Sequence, residues 1–154
     1  LRLTTLEIIL RAIPEGFLYI LGFYTYTKTK ININRYIISS ILGGGLIGIM
    51  RGLPISYGIH TILLMISLTA VGVLINKINI IKSIQAGILV FASMFICEAI
   101  NLLLIFSIFT KEMEHIFADP KLKIIYGIPS LVILGSFLGI YYRRLSKRKE
   151  LQSV

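Results

Sequence analysis

The sequence predicts an all-α integral membrane bundle of about five transmembrane helices, and three observations carry that prediction. Hydrophobic residues make up 56% of the chain and charged residues only 15%, where an ordinary soluble domain has about 25% charged. The mean hydropathy is +0.86. The apolar residues also fall into five runs that approach or reach the roughly 20 residues a helix needs to cross about 30 Å of hydrocarbon. The 154 residues read as a single transmembrane domain, 1–154.

The first span is expected over 6–27. It carries Glu7, Arg11 and Glu15 and lacks a small-residue cleavage site before the next basic cluster, so it reads as part of the mature fold and not as a secretory signal. The second, over 36–50, is glycine-rich. Ser40, Gly44, Gly48 and Gly52 recur every fourth residue, a stripe of small side chains along one helix face that lets another backbone approach. Packing inside the bundle is the favoured use of that stripe, ahead of an oligomer interface. In "RGLPIS", Gly52 and Pro54 break the helix, so spans two and three form a hairpin. The third span is expected over 57–75, the fourth over 83–109 and the fifth over 124–142, followed by a basic tail over 143–154.

Lys and Arg set the orientation. Lys28, Lys30 and Arg35 follow span one, Lys77 and Lys82 follow span three, and Arg143, Arg144, Lys147, Arg148 and Lys149 follow span five. These alternate connections share one side, while Glu112, Glu114 and Asp119 balance Lys111, Lys121 and Lys123 on the other. The N-terminus is therefore expected outside and the C-terminus in the cytoplasm, in a multi-pass membrane protein. The net charge of +9 is then topological. It flanks apolar segments instead of covering a face, so nucleic acid is not an expected partner. The tail is expected to anchor the last span and to contact anionic lipid or a partner protein.

Within "SMFICEAINLLLIF", Glu98 sits in a run otherwise apolar enough to lie in lipid. An unpaired carboxylate at that depth costs at least ~2.5 kcal/mol, so it must face protein, pair, or stay protonated. Glu15, Arg51, His60, Glu98 and Asn101 all fall in the outer half of the membrane on this topology, and they form the candidate ligand-binding or structural polar network. Asn101, at i+3 from Glu98, is expected to hydrogen-bond its carboxyl, with Arg51 or Glu15 in reach as well, and Arg51 is expected to pair with Glu15 or with Glu98. Arg11 and Glu15 are spaced i, i+4 across Pro14, which can distort that turn. Cys97 is the single cysteine, which excludes an intrachain disulfide. His60 and His115 lie at non-local spacing, so no metal or cofactor is expected. "GGG" at Gly43 to Gly45 has no Gly-Lys-Ser/Thr after it, and no nucleophile elbow occurs, so the chain is expected not to be an enzyme and no catalytic residue is assigned.

With "IPEGFLYILG" in span one, "RGLPISYGIHTILL" across the hairpin and "ICEAIN" in span four, the chain resembles the multi-span N-terminal membrane sensing regions of sensor histidine kinases of clostridia and related Gram-positive bacteria. In that class a signalling helix and a kinase domain follow the membrane region, whereas here about ten residues follow the last span. The resemblance implies a stand-alone sensor-like or regulatory module, with the lipid bilayer and another membrane or cytoplasmic protein as partners. Two other classes remain open on the residues alone. One is an accessory or solute-binding subunit of a transporter, and the other is a structural subunit of a larger membrane complex.

Overall fold

The computed structural model describes residue 6 and residues 8–152. A π-helical turn, Ile8–Ala12, runs directly into α1, Ile13–Tyr26. It is followed by α2 (Ile33–Arg51), α3 (Tyr57–Leu74), α4 (Ile80–Ile108), a short α5 (Met113–Ala118) and α6 (Pro120–Lys147). Among the described residues there is no strand, only an isolated bridge between Thr29 and Gln152.

Three helical stretches are long and apolar enough to cross a membrane: Ile33–Arg51, Ile80–Ile108 and Ile124–Lys147. Gly58–Leu74 in α3 is apolar but shorter. The first expected span, drawn as one helix over 6–27, instead changes its winding. Pro14 lies in the first turn of α1 and cannot donate to the carbonyl four residues back, so the regular ladder is interrupted where the π turn meets α1. The loop after α4 contains α5, a single helical stretch that composition did not suggest.

The short α1 is the hub. Ile20, Phe23 and Tyr24 of α1 are almost fully buried, while α4 and α6 expose rows of Ile, Leu and Phe. Phe23 reaches between α3 and α4, where Gly72 and Gly87 leave room for its ring. The contact of α1 with α2 is closer still. A Cβ added at Gly16 would lie 2.7 Å from both Gly44 Cα and the Ser40 carbonyl oxygen, and one added at Gly44 would lie 2.8 Å from Ile13 Cα. Only the absence of side chains permits backbones this near, and in lipid such proximity is how helices gain dispersion contact. Because α1 and α2 are consecutive and antiparallel, the approach sets the start of α1 beside the end of α2.

The opposite end is closed by backbone. The α1 terminus has the two hydrogen bonds of a Schellman motif, from Lys28 N–H to the Thr25 carbonyl and from Thr29 N–H to the Tyr24 carbonyl. The α6 terminus repeats it, from Lys149 to Ser146 and from Glu150 to Leu145. Lys28 and Lys149 therefore take left-handed backbone, φ 53° and 55°, at positions where glycine is usual. The two ends then meet, as Lys30 N–H donates to the Gln152 carbonyl and Gln152 N–H to the Lys28 carbonyl.

Candidate functional site

Glu15 occupies the first turn of α1 and is 2% exposed. Arg51 is the last residue of α2, and its Nη2 stands 2.6 Å from Glu15 Oε2. The pairing follows from the helix ends. A carboxylate complements the partial positive charge at a helix N-terminus and a guanidinium the negative one at a C-terminus, and the Gly16–Gly44 approach puts those termini side by side. Tyr19, one turn along α1, stacks on Phe91 of α4, ring centroids 4.9 Å apart. His60, near the start of α3, places Nδ1 3.1 Å from the Met50 carbonyl oxygen and so attaches α3 to the end of α2.

A second ion pair lies beside the first. Arg11, on the π turn, points Nη2 at Glu98 Oε1 of α4 from 4.0 Å, and the two side chains are 21% and 32% exposed. The Nε of Arg11 is buried with no hydrogen-bond partner. Its guanidinium passes over Gly127 of α6, where an added Cβ would stand 2.9 Å from Nη1. The charges of Glu15 and Glu98 are near enough to couple, as are those of Glu98 with Arg11 and Arg51. The cluster thus contains two carboxylates and two guanidiniums, one pair closed and one loose.

Two expected pairings are replaced by others. Asn101, 6% exposed, donates its Nδ2 to the Tyr126 carbonyl of α6 at 2.7 Å instead of to Glu98 on its own helix. A buried amide donor facing a neighbouring carbonyl is satisfied there and ties α4 to α6. Of the two partners expected for Arg51 it takes Glu15, which leaves Glu98 with Arg11 as its ion-pair partner. The i, i+4 spacing of Arg11 and Glu15 produces no ion pair, since the wider winding of the π turn swings Arg11 off the face that carries Glu15.

Of the small-residue stripe, Ser40 and Gly44 lie against Gly16 and Ile13 of α1 as described, and Gly48 is buried. Gly52 stands apart, exposed at the C-cap of α2. Arg143, Arg144, Lys147, Arg148 and Lys149 are all exposed, and α6 stays helical through Lys147, well past the expected end of the span. Lys28 adds an ion pair to Glu150 at 3.6 Å.

A polar group that sequence reasoning missed occupies the basic end. Asn76, 1% exposed, accepts at Oδ1 from the Tyr24 hydroxyl at 2.5 Å and from Ser39 Oγ at 3.2 Å. In "INKIN" it lies just beyond the expected end of span three at 75. The available signal was Tyr24 itself, since a tyrosine deep in an apolar helix requires a partner for its hydroxyl.

Among the described residues no group of three or more His, Cys, Asp or Glu side chains is placed to hold a metal ion. No family model matches the chain, and neither a curated protein nor a solved structure shows significant similarity to it.

Proposed function

We propose that the chain is a small sensor-like or regulatory module of a bacterial cytoplasmic membrane that binds a ligand or partner at the Arg11–Glu98 side of its ionic cluster. The proposed topology has five crossings, with the N-terminus outside and the basic end in the cytoplasm. The alternation of Lys and Arg among the connections supports that orientation. The π turn and α1 together run from Ile8 to Tyr26, and the shorter α3 completes the set of crossings.

One observation carries the binding role. A purely structural pair has every reason to close, as Glu15–Arg51 does at 2.6 Å, yet Arg11 and Glu98 stand 4.0 Å apart with both side chains partly open. A group that entered between them would touch the π turn and α4 directly, and through Arg11 it would bear on α6 at Gly127. A ligand with different affinity for two arrangements of these helices would shift their populations, and the shift would reach the basic end through α4 and α6. The exposed cations of the tail are the proposed contact for a membrane or cytoplasmic partner.

The test is gentle purification from the native membrane into nanodiscs, followed by mass spectrometry of all co-purifying proteins and small molecules, for the natural chain and for Glu98→Gln. A stoichiometric companion lost in the variant supports the role. A neighbouring ATPase as the companion would move the reading to a transporter subunit. A folded chain that arrives alone and empty in both forms overturns it.

A further inference from the structure

The geometry points to a zwitterion as the group that the Arg11–Glu98 gap accepts, an anionic group on Arg11 joined by a short linker to a primary ammonium on Glu98. The inference rests on the binding role proposed above and names its chemistry.

Three features of the site lead there. First, Arg11 has unused capacity. Its Nε is buried without a hydrogen-bond partner, and its Nη2 is 4.0 Å from Glu98, beyond hydrogen-bonding distance. A guanidinium offers its donors as a planar fork that fits a carboxylate or phosphate through two parallel bonds. Second, the guanidinium itself is seated by a missing side chain, since a methyl at Gly127 would stand 2.9 Å from Nη1 and 3.1 Å from Cζ of Arg11 and displace it from its place over α6. Third, the cluster is already neutral, with Glu15 and Arg51 closed on each other. A net anion or cation added there would leave an uncompensated charge in a low-dielectric setting, which is costly. A zwitterion adds none.

The ligand charges would then alternate with those of the protein, in the order guanidinium, anion, ammonium, carboxylate. The 4.0 Å separation leaves Arg11 and Glu98 adjacent in that ring, each still facing an opposite charge. A primary ammonium fits Glu98 because it brings N–H donors, whereas a quaternary ammonium has none. Two sources present this chemistry: a free amino acid from the aqueous phase, and the phosphoethanolamine headgroup of a membrane lipid.

The experiment uses the full chain in phosphatidylcholine nanodiscs, with thermal midpoints followed by far-UV circular dichroism. Glycine is the minimal water-borne zwitterion, and acetate and methylamine are its two halves. Nanodiscs containing phosphatidylethanolamine supply the lipid form. Either glycine raises the midpoint at a concentration about tenfold below that needed with acetate or methylamine, or phosphatidylethanolamine raises it above phosphatidylcholine alone; the arm that responds identifies the source. Arg11→Gln and Glu98→Gln should each abolish the response. Gly127→Ala should weaken it while retaining every charge, which guards against misfolding of the charge variants. If acetate acts as well as glycine and depends on Arg11, the site takes a simple anion: the zwitterion is overturned and the binding role survives. If none of the probes acts on the folded chain, the zwitterion is overturned, and the binding role then stands or falls on the co-purification result.

Discussion

The two ends of the bundle are held by different chemistry. At one end Glu15, Arg51, Arg11 and Glu98 join the π turn, α1, α2 and α4 through charge. At the other, Tyr24, Ser39 and Asn76 share neutral hydrogen bonds, and the end of α6 is tied by backbone bonds to the α1–α2 loop, with the exposed Lys28–Glu150 ion pair beside them. The difference has a consequence for adjustability. Neutral hydrogen bonds and Schellman turns have one good geometry, and losing one costs a modest, local amount. Ion pairs in a low dielectric are strong when closed, expensive when half broken, and can be reorganised by another charged group. On the binding role proposed above, the ionic end is where a ligand would act, and the other end is a clamp.

The largest expected effect is at Glu15. Replacing it by Gln leaves Arg51 facing a neutral amide in a nearly closed site, at a cost of about 3–5 kcal/mol for breaking a buried pair. The double variant Glu15→Gln/Arg51→Gln should recover part of that loss. Reversible unfolding in mixed micelles measures both, and a single variant as stable as the natural chain would remove the contrast between the ends.

Asn76→Ala comes next. It strips the acceptor from Tyr24, while Ser39 keeps the Arg35 carbonyl at 2.6 Å, and leaving one buried hydroxyl unmatched costs about 1–3 kcal/mol. A loss equal to that of Glu15→Gln in the same assay would show the neutral end to be as demanding as the ionic one.

Lys28→Gly and Lys149→Gly should act in the other direction. Both lysines hold left-handed backbone, a conformation that disfavours a side chain by roughly 1–2 kcal/mol. Glycine adopts it without strain but loses more chain entropy on folding, so a net gain of about 0.5–1 kcal/mol is expected at Lys149 and a smaller one at Lys28, which also gives up its ion pair to Glu150. The neutral clamp would tighten, and a melt that falls instead would show that the lysine side chains contribute more than their backbone strain costs.

The smallest stability effect is expected at Glu98→Gln. The pair is long and partly exposed, and pairs of that kind are worth about 0–1 kcal/mol. Glu15→Gln and Glu98→Gln should therefore separate, the first damaging the fold and the second sparing it while removing ligand response. A Glu98→Gln chain that unfolds as readily as Glu15→Gln would assign both pairs to structure. Topology sharpens the same comparison. In a Cys97→Ser background, cysteines at Lys30 and Ser146 should react with impermeant thiol reagents only from the cytoplasmic side, and one at Glu114 only from outside.

Part of the site was legible in the sequence because burial makes demands that composition reveals. A carboxylate such as Glu15 or Glu98 inside an apolar run must be accommodated, and four-residue spacing of Ser40, Gly44 and Gly48 places them on one helix face. The partners were not legible for the same reason that spacing is informative: it relates residues on one helix only. Asn101 shares a face with Glu98, yet the carbonyl nearest its amide belongs to Tyr126 of α6. Arg11 and Glu15 have the spacing of an intrahelical pair, yet the winding of the backbone at Pro14 separates them.

The sequence by itself determined the helical class, the apolar runs, the break at Gly52 and Pro54, and the presence of charge that apolar surroundings do not tolerate unpaired. All of these follow from local chemistry, the hydrophobicity of a segment and the backbone limits of glycine and proline. Tertiary structure alone decided that Arg51 takes Glu15 of its two candidate partners, that Arg11 faces Glu98 from 4.0 Å, and that Asn76 closes the far end. Those pairings depend on how near two backbones can come, and it is the contact of Gly16 with Gly44, two residues without side chains on different helices, that brings the charged ends of α1 and α2 together.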